Sequence, residues 1–141
     1  MPNANNQRMT LLTLAALGIV SVFLPWLHLP TIGTVNGMEN DRGILVLTFF
    51  CLALIFGFLP GQGAMKTVFV GLCGVAATGL AIYYIIIYQN LIHEMRAAGD
   101  PAERAVGVGI YLAVAFGAGI VAVTLWSLAT KGNNSMHDLD A

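Results

Sequence analysis

The sequence predicts an all-α fold, a transmembrane four-helix bundle with room for a short β-hairpin in its first loop. Three observations predict it. Charged residues make up only 9% of the chain and apolar residues 57%, whereas soluble domains carry roughly 25% charged residues. The charges also fall as punctuation. The intervals Arg8–His28, Arg42–Lys66, Lys66–His93 and Arg104–Lys131 enclose 19, 23, 26 and 26 residues without Asp, Glu, Lys, Arg or His. Finally, a hydrocarbon core about 30 Å thick needs about 20 helical residues, so each interval is long enough for one crossing. Every backbone polar group in a crossing must be paired, which a helix achieves within itself.

The expected layout is a single domain over residues 1–141. Spans fall at about 9–27, 43–59, 65–90 and 104–130, with an outer loop at 28–42 and a hairpin tip between helices 3 and 4 at 91–103. The first helix runs from Met9 or Thr10 to Leu24, where Pro25 ends or kinks it. One arginine followed by an apolar stretch from Leu11 to Leu24 also suits a signal peptide. The stretch runs into Pro25-Trp26-Leu27-His28 with no small-x-small cleavage site, so an uncleaved helix is expected. Trp26 is placed at the interface, its ring in the boundary and its N–H wet. From Leu29 to Arg42 the chain reads as structured loop. Ile32 and Val35 are flanked by Thr31, Gly33 and Thr34, and Asn36-Gly37 is a turn dipeptide.

The second helix occupies Gly43 to Leu59, and Pro60-Gly61-Gln62-Gly63 makes helices 2 and 3 antiparallel neighbours. Helix 3 starts near Ala64 and continues past the membrane to Ala98, with Gly99 as its stop. At 1.5 Å per residue it is about 50 Å long and projects beyond the headgroups, carrying His93, Glu94 and Arg96. Tyr83, Tyr84 and Tyr88 then lie near that interface. Asp100-Pro101-Ala102-Glu103 is a start signal for helix 4, which reaches Thr130 before Gly132. Trp26, Tyr88 and Trp126 are the expected membrane-interface anchors.

An even number of crossings puts both termini on one side. Arg8, Lys66 and Lys131 share the terminal side, Arg42, Arg96 and Arg104 the other, so basic residues tie at three each. Five of the seven acids accompany the second group, which tilts the reading toward termini inside, in a prokaryotic cytoplasmic membrane.

A net charge of −1 excludes a strongly basic nucleic-acid binder, and no Lys/Arg cluster marks an anionic-lipid site. Apart from Lys66 and Arg104 at the span ends, no Asp, Glu, Lys, Arg or His falls inside a predicted span, which disfavours proton-coupled transport and charged filters. His93-Glu94 resembles the opening of a zinc-protease helix, but position 97 is Ala, and His28 and His137 have no ligand at metal spacing. Asn36, Glu39 and Asp41, with Asn40, offer oxygen ligands that suit a hard cation. Their spacing does not match an EF-hand, and a polar, hydrogen-bonded loop is the preferred reading. Ser21 and Ser127 have no base beside them, and no phosphate-loop, dinucleotide or Gly-x-Ser-x-Gly motif occurs. Neither an enzyme nor a cofactor is expected. Cys51 and Cys73 sit at similar depth on either side of the turn between helices 2 and 3. They face one another as a dithiol or bridge, or pack as small hydrophobes, and the second is preferred.

The interaction signal lies on helix 4. Gly109, Ala113 and Gly117 are spaced by four; Ala115, Gly119 and Val123 form a neighbouring row; Ala118 and Ala122 add a third. Helix 3 answers with Gly74–Thr78 and Cys73–Ala77–Ala81. Small residues at this spacing let backbones approach closely in lipid. Because they spread around much of helix 4, two contacts are expected, one internal and one to another subunit.

The stretch Phe23-Leu24-Pro25-Trp26, followed by Gly33-Thr34-Val35-Asn36-Gly37-Met38-Glu39-Asn40-Asp41-Arg42-Gly43, resembles a pattern of small uncharacterised prokaryotic four-span membrane proteins. These leave the first helix through Leu-Pro-Trp and continue into a Gly-rich acidic loop. The likeness covers about 20 residues and implies a four-helix fold of unassigned function. The claudin pattern of an extracellular Trp with paired Cys is missing. The expected function is a structural or accessory subunit of a membrane assembly, with the bilayer and other membrane subunits or itself as partners. The alternative is binding or translocation of a small apolar or neutral ligand (quinone, lipid or solute) between the helices.

Overall fold

The computed structural model describes residues 4–29, 33–39, 41–59, 63–99 and 105–137, with 131–137 at the backbone level only. Four helices carry most of these residues: α1 (Ala4–Phe23), α2 (Asp41–Phe58), α3 (Ala64–Ala97) and α4 (Val108–His137). Each is long and apolar enough to cross a membrane. They form a ring in which every helix packs on its sequence neighbours and α1 closes against α4.

Contacts along the seams fix the directions. Arg8 reaches the carbonyls of Gly57 and Phe58 at the end of α2, while Gly18 lies under the Phe50 ring. Phe56 stacks on Phe69, and Arg42 lies over Tyr84. Gly71 meets Thr124 and Gly74 meets Ile120, whereas Gly109 meets Ser21 and Gly119 meets Leu14. Along each seam the residue numbers of the two helices run in opposite senses. The bundle therefore runs up-down-up-down, and α1 begins at the same end where α4 finishes.

The interior combines small residues (Ala15, Ala53, Ala77, Ala81, Ala113) with a few large ones, chiefly Phe50, Ile110 and Ile120. The exterior is the more conspicuous surface. Val20, Ile55, Phe58, Leu72, Val75, Ile86 and Leu125 are all more than half exposed. A helix packed in water keeps charged and polar residues on its outer face; these four do not.

One end of the ring is capped by a three-stranded antiparallel sheet in the order β2-β1-β3, from β1 (Pro25–Leu29), β2 (Gly33–Asn36) and β3 (Ala105–Val106). Leu27 pairs with Val35 on one side and Val106 on the other. A 3-10 turn, Gly37–Glu39, joins β2 to the neighbourhood of α2.

Several expected boundaries move. The first span was expected to reach residue 27, but α1 stops at Phe23 and Pro25–Leu29 pairs as a strand. Proline lacks the N–H a further turn needs and biases the preceding residue toward extended backbone. The fourth helix was expected from about residue 104, but Ala105–Val106 is used as a strand and α4 starts at Val108. The β1 edge offers unpaired backbone groups at that point, and the Gly107 N–H extends the pairing by donating to the Trp26 carbonyl at 2.8 Å. Asn36-Gly37 lies at the junction where β2 ends and the 3-10 turn begins. At the far end α4 passes through Gly132 to His137; an interior glycine weakens a helix by about 1 kcal/mol but does not break it. Gly99, at φ +86°, follows the end of α3, its N–H bonded to the Arg96 carbonyl. The start signal Asp100-Pro101-Ala102-Glu103, the turn residues Pro60, Gly61 and Gln62, and Thr31, Ile32 and Asn40 of the first loop lie outside the described residues.

Candidate functional site

The capped end is organised by Trp26. Successive residues of a strand point to opposite faces, yet Trp26 and Leu27 are both buried, at 1% and 7% exposure. The register explains this: Pro25 pairs with Asn36 and Leu27 with Val35, leaving Trp26 as the extra residue of a β-bulge. The bulge turns the indole inward. There its N–H donates to the Ser21 carbonyl at 3.1 Å, and Gly37 lies against the six-membered ring, where a Cβ would stand 2.7 Å from Cε2. Trp26 thus ties the end of α1 to the sheet and to the 3-10 turn. This corrects its expected role as an interface anchor with a wet N–H. Tyr88 is 5% exposed on the α3 face it shares with Ala81 and Tyr84. Trp126 is 54% exposed on α4.

Among the described residues, two of the three buried hydroxyls, Ser21 and Thr124, and the half-buried Thr78 are satisfied close at hand. Ser21 Oγ donates to the Gly18 carbonyl at 2.6 Å, Thr78 to Gly74 at 2.8 Å and Thr124 to Ile120 at 2.7 Å. Each bond lies within one helix and occupies the hydroxyl's single donor. Cys51 is half-buried and Cys73 buried, and the two are not bridged. Of the cation-site candidates, Glu39 and Asp41 are exposed and Asn36 is half-buried. No group of three or more His, Cys, Asp or Glu side chains converges among the described residues. Tyr83 is exposed, Tyr84 is buried under Arg42, and Tyr111 is exposed on α4.

The small-residue rows of α4 divide by direction. Gly117 faces α3, where a Cβ would overlap Thr78 Oγ1 and stand 3.3 Å from the Gly74 carbonyl. Gly109 faces α1, 2.7 Å from the Ser21 carbonyl by the same measure, and Gly119 meets Leu14 at 3.3 Å. Ala113, Gly74 and Ala77 are buried with them. Ala115, Ala118 and Ala122 are exposed on the outer face of α4.

The opposite end holds a feature missed in the sequence. Arg8 donates to the carbonyls of Gly57 (3.2 Å) and Phe58 (2.8 Å), and the Lys66 ammonium donates to the Leu59 carbonyl. The C-terminal carbonyls of α2 have no partners within their helix, and α2 has no basic residue in its own last turn. Two neighbouring helices supply the cations that the negative end of its dipole favours. That missing basic residue was the available signal. Arg8→Gln is expected to lower stability by about 1 kcal/mol, read as an earlier unfolding midpoint in a detergent–denaturant titration. An unchanged midpoint would show the contact to be incidental.

The fold and these sites define a ring of four apolar helices closed at one end by a small sheet. Comparison with protein-family models, curated proteins and solved structures found no match.

Proposed function

We propose that the chain is an integral membrane protein, crossing the bilayer four times, that serves as a structural or accessory subunit of a membrane assembly. The observation that carries the membrane part is the outward face of the bundle. Large apolar side chains stand exposed on all four helices, as with Val20, Ile55, Leu72 and Leu125. In water such a surface would be a severe aggregation liability; in lipid it needs no cover. The packing role is supported by the intrahelical bonding of the interior hydroxyls and by the outward row Ala115, Ala118 and Ala122. The row faces away from the bundle, and its residues have the small size that close helix approach in lipid favours. A prokaryotic cytoplasmic membrane with the termini inside is the proposed setting, Arg8 and Lys66 marking the inner end.

The wild-type chain should resist alkaline carbonate extraction from membranes. In mild detergent it should then run as a species well above the 14.9 kDa monomer. Ala118→Leu should reduce that species to the monomer without lowering the unfolding midpoint, because residue 118 points out of the bundle. A monodisperse wild-type monomer with no co-purifying protein would overturn the subunit reading.

A further inference from the structure

α3 outreaches its neighbours at the capped end. Arg42, in the first turn of α2, is level with Tyr84, and α3 continues from there to Ala97, about 20 Å further at 1.5 Å per residue. On this projecting part, Gln89, His93 and Arg96 recur at i, i+4 and i+7, so all three lie on one helix face. Opposite them stand Val106 of β3 and Tyr111 of the first turn of α4. With Ile92 as part of the floor, these residues bound an open groove of about 370 Å³. No carboxylate lines it among the described residues. Glu94, one residue from His93, is turned about 100° around the helix.

The groove gathers four side chains that can donate hydrogen bonds, a guanidinium, an imidazole, a carboxamide and a phenol, over a half-buried apolar floor. A guanidinium fork matches phosphate oxygens two at a time. The faces that form the groove continue toward the middle of the bundle as apolar surface. On α3 they pass to Ile86 and Ile82, both about half exposed; on α4, Tyr111 is followed at i+4 and i+7 by the exposed Ala115 and Ala118. A polar pocket thus borders exposed apolar side chains on α3, which is the order of groups along an amphiphile.

We propose that this groove binds the phosphate diester of a glycerophospholipid. Arg96 and His93 hold the phosphate oxygens, Gln89 and Tyr111 hydrogen-bond the headgroup and glycerol esters, and an acyl chain lies along Ile86 and Ile82. The assignment rests on the bilayer reading above. The half-exposed isoleucines favour a lipid over free phosphate, which would need the polar half alone.

The test uses the full chain in a neutral detergent and native mass spectrometry, with dihexanoyl-phosphatidylglycerol as the lipid probe. The expected result is one saturable lipid adduct. Arg96→Gln should weaken it by about tenfold or more, and Arg42→Gln, outside the groove, should leave it unchanged. Inorganic phosphate at equal concentration should not displace the lipid. Equal binding by wild type and Arg96→Gln, or equal loss in Arg42→Gln, would overturn the site. Displacement by inorganic phosphate at matched concentration would overturn the lipid in favour of a free anion. Carbonate extraction separates this proposal from the one beneath it. An Arg96→Gln chain that stays in the membrane but loses the adduct supports both. Extraction of the wild-type chain would remove the bilayer reading itself.

Discussion

Replacing Trp26 with alanine is expected to destabilise the protein by about 3–5 kcal/mol, the range for deleting a large buried aromatic. At 1% exposure Trp26 is the largest fully buried side chain, and its ring contacts the 3-10 turn while its N–H holds the end of α1. Removing it leaves a cavity where three elements meet, and the bulged strand loses its reason to turn inward. Trp26→Phe separates the two contributions. It keeps most of the apolar ring and removes the bond to the Ser21 carbonyl, for an expected cost of about 1 kcal/mol plus a smaller packing defect. Both variants can be followed by labelling of the buried thiol of Cys73 as the chain unfolds. A tryptophan anchored at a water–lipid boundary would behave differently, with Trp26→Ala shifting the midpoint little. A change well below 1 kcal/mol would restore that reading and remove the indole from the centre of the cap.

How much of this was legible in the sequence depends on how local the deciding physics is. The four helices were legible because uncharged runs such as Thr67–Ile92 are a property of consecutive residues. The end of α1 was half legible. Pro25 announced that the helix stops, but not that Pro25–Leu29 would find two partners, one of them about 80 residues away at Ala105–Val106. Strand pairing at that separation leaves no trace in a window of neighbours. Trp26 followed from the same gap. An indole beyond a span is normally interfacial, and only the bulge, visible in the register, turns it inward. The small residues of α4 were read as packing faces, but their spacing could not say which partner each row meets. The contacts assign Gly117 to α3 and Gly109 to α1 and leave Ala115, Ala118 and Ala122 facing out. The groove was not anticipated: His93 and Arg96 are expected only on the projecting end of helix 3, and Gln89 is not singled out. Their i, i+4, i+7 spacing was there to be read, whereas Tyr111 enters only through the packing of α3 against α4.

The second large effect is expected at Gly43, and it tests the cap from its other side. Gly43 stands in the first turn of α2, against Gly37 of the 3-10 turn. A methyl group there would overlap the Gly37 carbonyl and stand 2.7 Å from its Cα. The three nearest atoms are all backbone, so no side-chain rotation relieves the clash, and the 3-10 turn must lift from α2. Gly37 is also the residue that lies on the Trp26 ring, so the displacement loosens the indole as well. Gly43→Ala is therefore expected near or above the upper end of the usual cost of overpacking, about 3 kcal/mol. The same substitution at Gly79, on the exposed face of α3 with nothing within 4 Å of the new methyl, should be neutral or stabilising by up to about 1 kcal/mol, since alanine is the better helix former. The pair holds the chemical change constant and varies only the surroundings. Because Gly43 and Trp26 act through one neighbour, Gly43→Ala combined with Trp26→Ala should cost less than the sum of the two, by about 0.5–3 kcal/mol. Strict additivity would mean that the 3-10 turn does not transmit between them. Gly43→Ala unfolding at the same midpoint as Gly79→Ala would mean that the turn is not seated on α2 at all.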